Sequence, residues 1–415
     1  MSIIVTDTNF ELNLAVYHYS DDTPLTDREK LNVRGIVRDT ETGETVVKTF
    51  GYTPEVLSTD HEKLNEWIAP LVRGEETKFY KSYEGTLLRV WSWQDQWFLS
   101  THRKLDAYKS RWGSNKSYGE LFNRAVKPAL NGICFGTGAP YSGIPENRVN
   151  FCKFTSLLQP SKIYVFLLRS FKENRKVCEG GDKPQLYCVG AFDRDQNFAF
   201  TTDNAETRCP TPEQVQISSA DELVEYVDRV DPKECQGIVI MNPDGTSGKV
   251  VSPKYDALDK LRGNVPNVLH RYVQLRWQPE QLQKYRELYP EFATAFAEWE
   301  DAMQHICSNV LRKYIERYIN HNTAILPREQ YTLMTQLHQY YMNVLKPQRQ
   351  RAEMQHIWEI LGKWQERDVN VLFKEYQSRK RQTGNGNLMT QTTRDFIMQR
   401  MNRRQTNQMV EQTEA

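Results

Sequence analysis

Beyond Pro279 the chain changes texture, and no single fold class accommodates both sides of that change. Residues 280–380 contain one glycine, Gly362, and carry apolar residues at helical spacing throughout. Phe292, Phe296, Trp299, Met303, Ile306, Val310, Tyr314 and Ile315 fall on one stripe, the pattern of a helix that buries one face. Proline lacks an amide donor and clashes with the preceding helical turn, so Pro327 and Pro347 divide this region into three expected helices. From Arg381 the composition shifts to Gln, Asn, Thr and Arg, with Gly384-Asn385-Gly386-Asn387. That is the composition of a solvated tail, with one short helix expected at residues 394–403.

Ahead of Pro279 the periodicity is different. Short apolar or alternating runs bounded by Gly, Asp and Pro read as strands at residues 35–37, 45–50, 86–93, 97–101, 163–168, 185–192, 238–241 and 272–276. Helical candidates lie between them at 60–72, where Leu64, Trp67, Ile68 and Leu71 share a face, and at 118–127 and 219–227. Asn242-Pro243-Asp244-Gly245 reads as a β-turn. Strands outnumber helices without strict βαβ alternation, which argues for antiparallel sheets in an α+β domain. The expected organisation is a domain at 1–279, a helical domain at 280–380 and a basic tail at 381–415.

Composition narrows the function classes. The 415 residues carry a formal net charge of +1, which excludes a uniformly charged nucleic-acid coat but not a local basic surface. Between Lys346 and Arg404 there are 13 Lys/Arg against 6 Asp/Glu, a surplus suited to phosphate contacts. Hydrophobic residues are 39% and aromatics 11%, enough for a packed core. No apolar run reaches a membrane-spanning length, so no membrane partner is expected. The start, Met1 to Asn13, turns polar too soon for a secretory leader. The 7 cysteines form no C-x-x-C pair and read as free thiols in the cytoplasm. The histidines show no metal-ligand spacing.

One segment carries potential chemistry. Ser100-Thr101-His102-Arg103-Lys104-Leu105-Asp106-Ala107 follows an expected strand. A lysine at a strand end serves as a covalent nucleophile once it loses its proton, which nearby cations favour; Arg103 and Lys109 are close in sequence.

Other segments surround it in a definite order. Arg34-Gly35-Ile36 and Lys48-Thr49-Phe50 precede it. Tyr164-Val165-Phe166-Leu167-Leu168, Gln236-Gly237-Ile238-Val239 and Lys249-Val250-Val251-Ser252-Pro253-Lys254-Tyr255 follow. Over residues 28–280 this order resembles the ATP-dependent RNA ligases of the T-even-phage, tRNA-repair type, members of the covalent nucleotidyltransferases, and is nearest to forms from large DNA viruses. The resemblance implies an α+β nucleotidyltransferase domain that uses ATP and Mg²⁺ and joins RNA ends through a lysyl-AMP intermediate. It puts Lys104 at the AMP-accepting lysine of the K-x-D-G motif, and Asp106 at that motif's aspartate. Arg34, Lys48 and Phe50 fall at positions implied to meet the nucleotide and its phosphates. Phe166 falls at the aromatic near adenine, Gln236 at the motif E-G-x-V, and Lys249 at the first lysine of K-x-K. Four positions depart: Ala107 for Gly, Leu167 for an acid, Gln236 for Glu and Val251 for the second Lys. The host cytoplasm or a virion is the implied location.

Two alternatives stay open. One is a catalytically weakened or inactive ligase-like protein with an RNA-binding or structural role, which the departures favour. The other is an mRNA-capping guanylyltransferase or a DNA ligase, families that usually append an OB-fold where this chain has helical periodicity.

Overall fold

The computed structural model describes residues 3–72, 76–135 and 143–382. The chain forms two compact units, residues 1–266 and 267–415. The α+β class expected from the sequence, antiparallel sheets followed by a helical region, is the one observed.

The first unit contains three sheets. Strands β1 (Ile3–Asn9), β2 (Leu14–Tyr19), β3 (Arg34–Asp39) and β4 (Thr45–Val47) form an antiparallel sheet in sequence order. The following strands are β5 (Glu55–Leu57), β6 (Lys78–Lys81), β7 (Thr86–Trp93), β8 (Gln96–Ser100), β9 (Lys162–Arg169) and β10 (Gln185–Asp193). Then come β11 (Ala199–Thr201), β12 (Gln214–Val215), β13 (Gly237–Met241) and β14 (Ser247–Val251). The second sheet runs β11-β10-β9-β7-β8, and the third β12-β6-β13-β14-β5; among the described residues only the β14–β5 pair is parallel.

Helices α1 (Arg28–Leu31) and α2 (His61–Lys63) are single turns. The longer ones are α3 (Tyr118–Ala125), α4 (Glu146–Thr155), α5 (Ala220–Arg229) and α6 (Pro253–Arg262). Ser117 and Glu120 cap α3 reciprocally, each side chain bonding the other's backbone N–H. Helices α3 and α4 cover one face of the second sheet, where Phe122 and Phe154 meet Leu88, Phe166 and Leu168. Helix α5 covers one face of the third, where Leu223 and Val227 meet Ile238, Ile240 and Val250.

The sheets are tightly registered. Gly237 adopts φ +148°, and a Cβ there would lie 2.0 Å from the Val250 carbonyl oxygen, so only glycine fits. The expected turn at 242–245 closes β13 onto β14, with the Gly245 amide bonded to the Asn242 carbonyl at 3.0 Å.

The second unit is helical: α7 (Val268–Leu275), α8 (Pro279–Leu288), α9 (Ala293–Tyr318), α10 (Arg328–Tyr340), α11 (Met354–Leu361) and α12 (Glu366–Gln382). The stripe on α9 is buried at Phe296, Trp299, Met303, Ile306, Val310 and Tyr314. Two expectations need correcting. Residues 272–276, read as a strand, are the end of α7 and the residue after it; Tyr272, Val273 and Leu275 are buried on a helix that the Asn267 side chain caps. The region beyond Pro279 also breaks at Pro290 and near Gly362, not only at the two prolines noted above. The change of composition at Pro279 lies inside the second unit, because α7 already belongs to it. The expected tail helix and most of the basic tail lie outside the described residues. No helix among the described residues is long and apolar enough to cross a membrane.

Candidate nucleotide-binding cleft

Strand alternation builds a cleft in the first unit. Tyr80, Val239, Lys249 and Glu55 form one cross-strand row of the third sheet. Side chains alternate between faces, so this row points away from α5, and all four residues line a cleft of about 1040 Å³. Across it stand Leu87, Leu167 and Val189 of the second sheet, with His18, Tyr19 and Arg34 from the first.

One end of the cleft is cationic. Arg34 begins β3 and donates to the Gly51 carbonyl at 3.3 Å. Lys249 pairs with Glu55 at 3.3 Å. The loop at 101–104 adds His102, Arg103 and Lys104; the Lys104 amine, 48% exposed, lies 3.3 Å from Asp7. Beneath this loop Arg89 is fully buried and donates to the Thr101 carbonyl at 2.6 Å and to the Gly35 carbonyl. Gly35 has φ +69°, and a Cβ there would meet the His102 carbonyl oxygen at 2.6 Å, so β3 and the loop approach closely.

The electrostatics follow from this crowding. Burial drives His102 well below its ordinary pKa, and Arg34, Arg89 and His18 push the same way. Burial also lowers His18, with Arg103 and Arg34 adding to the effect. Burial lowers Arg34, and brings Arg89 down to about 9. Two buried guanidinium groups, Arg34 and Arg89, thus stand at this end beside the paired amines, a positive field suited to an anion.

The centre is polar. The Ser82 hydroxyl donates to the Gln236 carbonyl oxygen at 3.2 Å, and the Gln236 amide donates to the Tyr255 hydroxyl at 2.9 Å. Glu84 is buried and accepts from the backbone N–H groups of Lys176, Val177 (2.9 Å) and Cys178 (2.6 Å). Burial raises its pKa against the pull of those donors.

Of the residues predicted from sequence, Arg34, Phe50, Lys104, Gln236 and Lys249 line this one cleft. Three do not. Lys48 is exposed outside the lining. Asp106 caps the Tyr108 amide at 2.9 Å and pairs with Arg148 at 3.3 Å. Phe166 is wholly buried between Phe122 and Phe154; alternation along β9 turns Leu167, its neighbour, to the cleft instead.

Motif order in the sequence does not pick out Ser82-Tyr83-Glu84-Gly85 as a unit, yet all four residues line the cleft. It has the K-x-D-G spacing, with Ser for Lys and Glu for Asp. The signal was present, because this tetrapeptide directly follows a strand, β6. The adjacent Lys81 directs its amine to Glu234 (2.6 Å) and Glu213 (2.9 Å), which raise its pKa.

The cleft does not fit a protein-held Mg²⁺. Glu84 holds backbone amides, Glu55 pairs with Lys249, Asp259 with Lys176 and Asp256 with Lys260. Among the described residues no group of three or more potential ligands gathers.

No family model matches the chain. It is similar to an immediate-early protein ICP-46 homolog of Invertebrate iridescent virus 6, with 27% identity over 338 residues, 78% of this chain and 70% of that one. A second homolog, from Invertebrate iridescent virus 3, is 24% identical over 293 residues, 70% of this chain and 61% of that one. Among solved structures, a Naegleria gruberi RNA ligase with PPi aligns at TM-score 0.35 and 10% identity, over 52% of this chain and 59% of that one. An archaeal ATP-dependent RNA ligase aligns at TM-score 0.34 and 10% identity, over 66% of this chain and 64% of that one. A putative ATP-dependent DNA ligase from Aquifex aeolicus aligns at TM-score 0.37 and 11% identity, over 91% of this chain and 75% of that one. The chain spans less than two thirds of the length of both RNA ligases.

Proposed function

We propose that the cleft binds ATP with its phosphates at the cationic end, and that the protein is a ligase-like nucleotidyltransferase acting on RNA ends. The observation that carries the reading is the meeting of Arg34, Lys104 and Lys249, far apart in sequence, in one cleft. Arg34 and Lys249 offset the triphosphate charge as it builds on the leaving pyrophosphate. Lys104, once its ammonium proton has passed to solvent, attacks the α-phosphorus; the P–N bond forms as the P–O bond to the leaving pyrophosphate breaks. AMP then passes to an RNA 5′-phosphate, and an RNA 3′-hydroxyl displaces it. No step is assigned to a protein-held metal. The viral origin of the sequence relatives supports a viral setting, in the host cytoplasm or a virion.

One observation favours a second reading, ATP binding without transfer. The cleft centre carries a hydroxyl and an amide, Ser82 and Gln236, in place of an amine and a carboxylate.

Incubation with α-labelled ATP or GTP, beside calorimetric titration of unlabelled nucleotide, separates the two. A covalent adduct with ATP that disappears in Lys104→Ala supports transfer. ATP binding with no adduct supports the second reading. An adduct formed only with GTP indicates a capping-type transfer, and absence of nucleotide binding refutes both readings.

A further inference from the structure

We propose that the end of the cleft walled by Trp112, Tyr118 and Tyr255 stacks a nucleobase of the nucleic-acid strand, separately from the bound ATP. The inference rests on the nucleotide-binding reading and names where its second substrate sits.

Size makes room for it. The cleft, about 1040 Å³, lies at the upper limit of pockets that enclose one drug-sized ligand, about 300–1,000 Å³. Strand β7 gives the span. Thr86, at its start, accepts from Asn174 at the aromatic end (3.3 Å), while Arg89 is tied to Thr101 at the cationic end. Three residues of strand separate them, about 10 Å, so the aromatic wall and the cationic end are distinct positions along the cleft.

Charge divides the two ends. At the aromatic end the cation Lys176 is paired with Asp259 at 3.1 Å and Asp256 with Lys260 at 2.6 Å, so the charges there balance. That balance disfavours phosphate there and suits an uncharged base. The exposed Asn264 side chain and Asp256 stand beside the aromatic wall to meet a base edge.

The wall is held in place. Arg262, 1% exposed, sets its guanidinium 5.2 Å from the centre of the Trp112 ring and is itself fixed to the Pro266 carbonyl at 3.0 Å. The Trp112 ring also lines the cleft, so a base stacked there completes an arginine–indole–base sandwich. Tyr118 is the first residue of the capped helix α3. Tyr255 is anchored through its hydroxyl to Gln236.

The test uses the full chain. Anisotropy of a labelled, 5′-phosphorylated single-stranded RNA oligonucleotide and calorimetry with ATP are measured in wild type, Trp112→Leu and Trp112→Phe. Stacking on aromatic side chains sets the expected effect: Trp112→Leu binds the oligonucleotide about 5- to 150-fold more weakly, Trp112→Phe recovers most of it, and ATP affinity stays the same. If Trp112→Leu fails to fold, Tyr118→Leu reads the same contact. Unchanged oligonucleotide affinity in a folded variant overturns the proposal. So does an equal loss of ATP affinity, which would put the ATP base at this end. Failure of wild type to bind ATP, with the oligonucleotide effect intact, refutes the nucleotide reading and leaves the aromatic subsite standing.

Discussion

Histidine 102 and histidine 18 are the residues through which pH should act on ligand binding. Burial, helped by nearby guanidinium groups, holds both below the ordinary histidine value, so both are neutral in the free protein near pH 7. A triphosphate at the cationic end favours their charged forms and raises both pKa values. The complex therefore takes up protons, and by linkage ATP affinity rises as pH falls through the raised values toward those of the free protein. The gain is at most about tenfold per pH unit for each proton taken up. Calorimetry in buffers of different ionisation heat measures that uptake directly; an affinity flat with pH would refute the phosphate placement. Arg89 bears on the same site from below, since its two donors fix both the Gly35 and Thr101 carbonyls. None of this was legible from residue types. The sequence marks Arg89 as an ordinary strand residue, and only the fold reveals what it joins.

At the scale of elements, the contact between α9 and α10 offers a titratable joint. The His338 ring on α10 stacks on Tyr318 of α9, with centres 3.8 Å apart and planes 7° from parallel. Its Nδ1 is buried without a hydrogen-bond partner. Burial, and then Lys346, lower its pKa. A depressed folded-state value contributes stability that is present above the unfolded pKa, about 6.5, and is lost as pH falls through the folded one. His338→Phe keeps the stack and removes the proton site. Its melting temperature should therefore fall less than that of wild type between about pH 7.5 and 5; equal falls would show that the ring does not titrate in this range. Elements of this kind were readable wherever periodicity was long. The α9 stripe is one such case, and strand β7, expected at residues 86–93, is another. Short elements misled. Residues 272–276 look strand-like because burial at Tyr272, Val273 and Leu275 leaves no full helical repeat to see. The hairpin of β1 and β2 is not marked by alternation, because β1 is exposed or half-buried along its whole length. At the cleft, motif order located Arg34, Gln236 and Lys249, but period-2 alternation, not motif spacing, decided that Leu167 and not Phe166 faces it.

For the whole molecule, the place where the chain divides is open to direct test. A fragment of residues 1–266 follows the observed division and should fold with ATP binding retained. A fragment of residues 1–279 also carries α7, whose buried Tyr272 stacks on Phe296 of α9 at 4.1 Å. Without that partner its apolar face is exposed, and the longer fragment should aggregate more readily. Light scattering at equal concentration compares the two; a better-behaved longer fragment would move the boundary to the change in composition. The third sheet has a consequence of another kind, for how freely such a protein can drift. Gly237 leaves no volume for a single added carbon beneath Val250, whereas Gln236 beside it holds two partners that several polar side chains can satisfy. Under saturation mutagenesis selected for folding alone, position 237 should return only its original codon family while position 236 returns a varied set. The residue that lines the cleft is thus free to vary, and the one next to it, which only holds two strands together, is not.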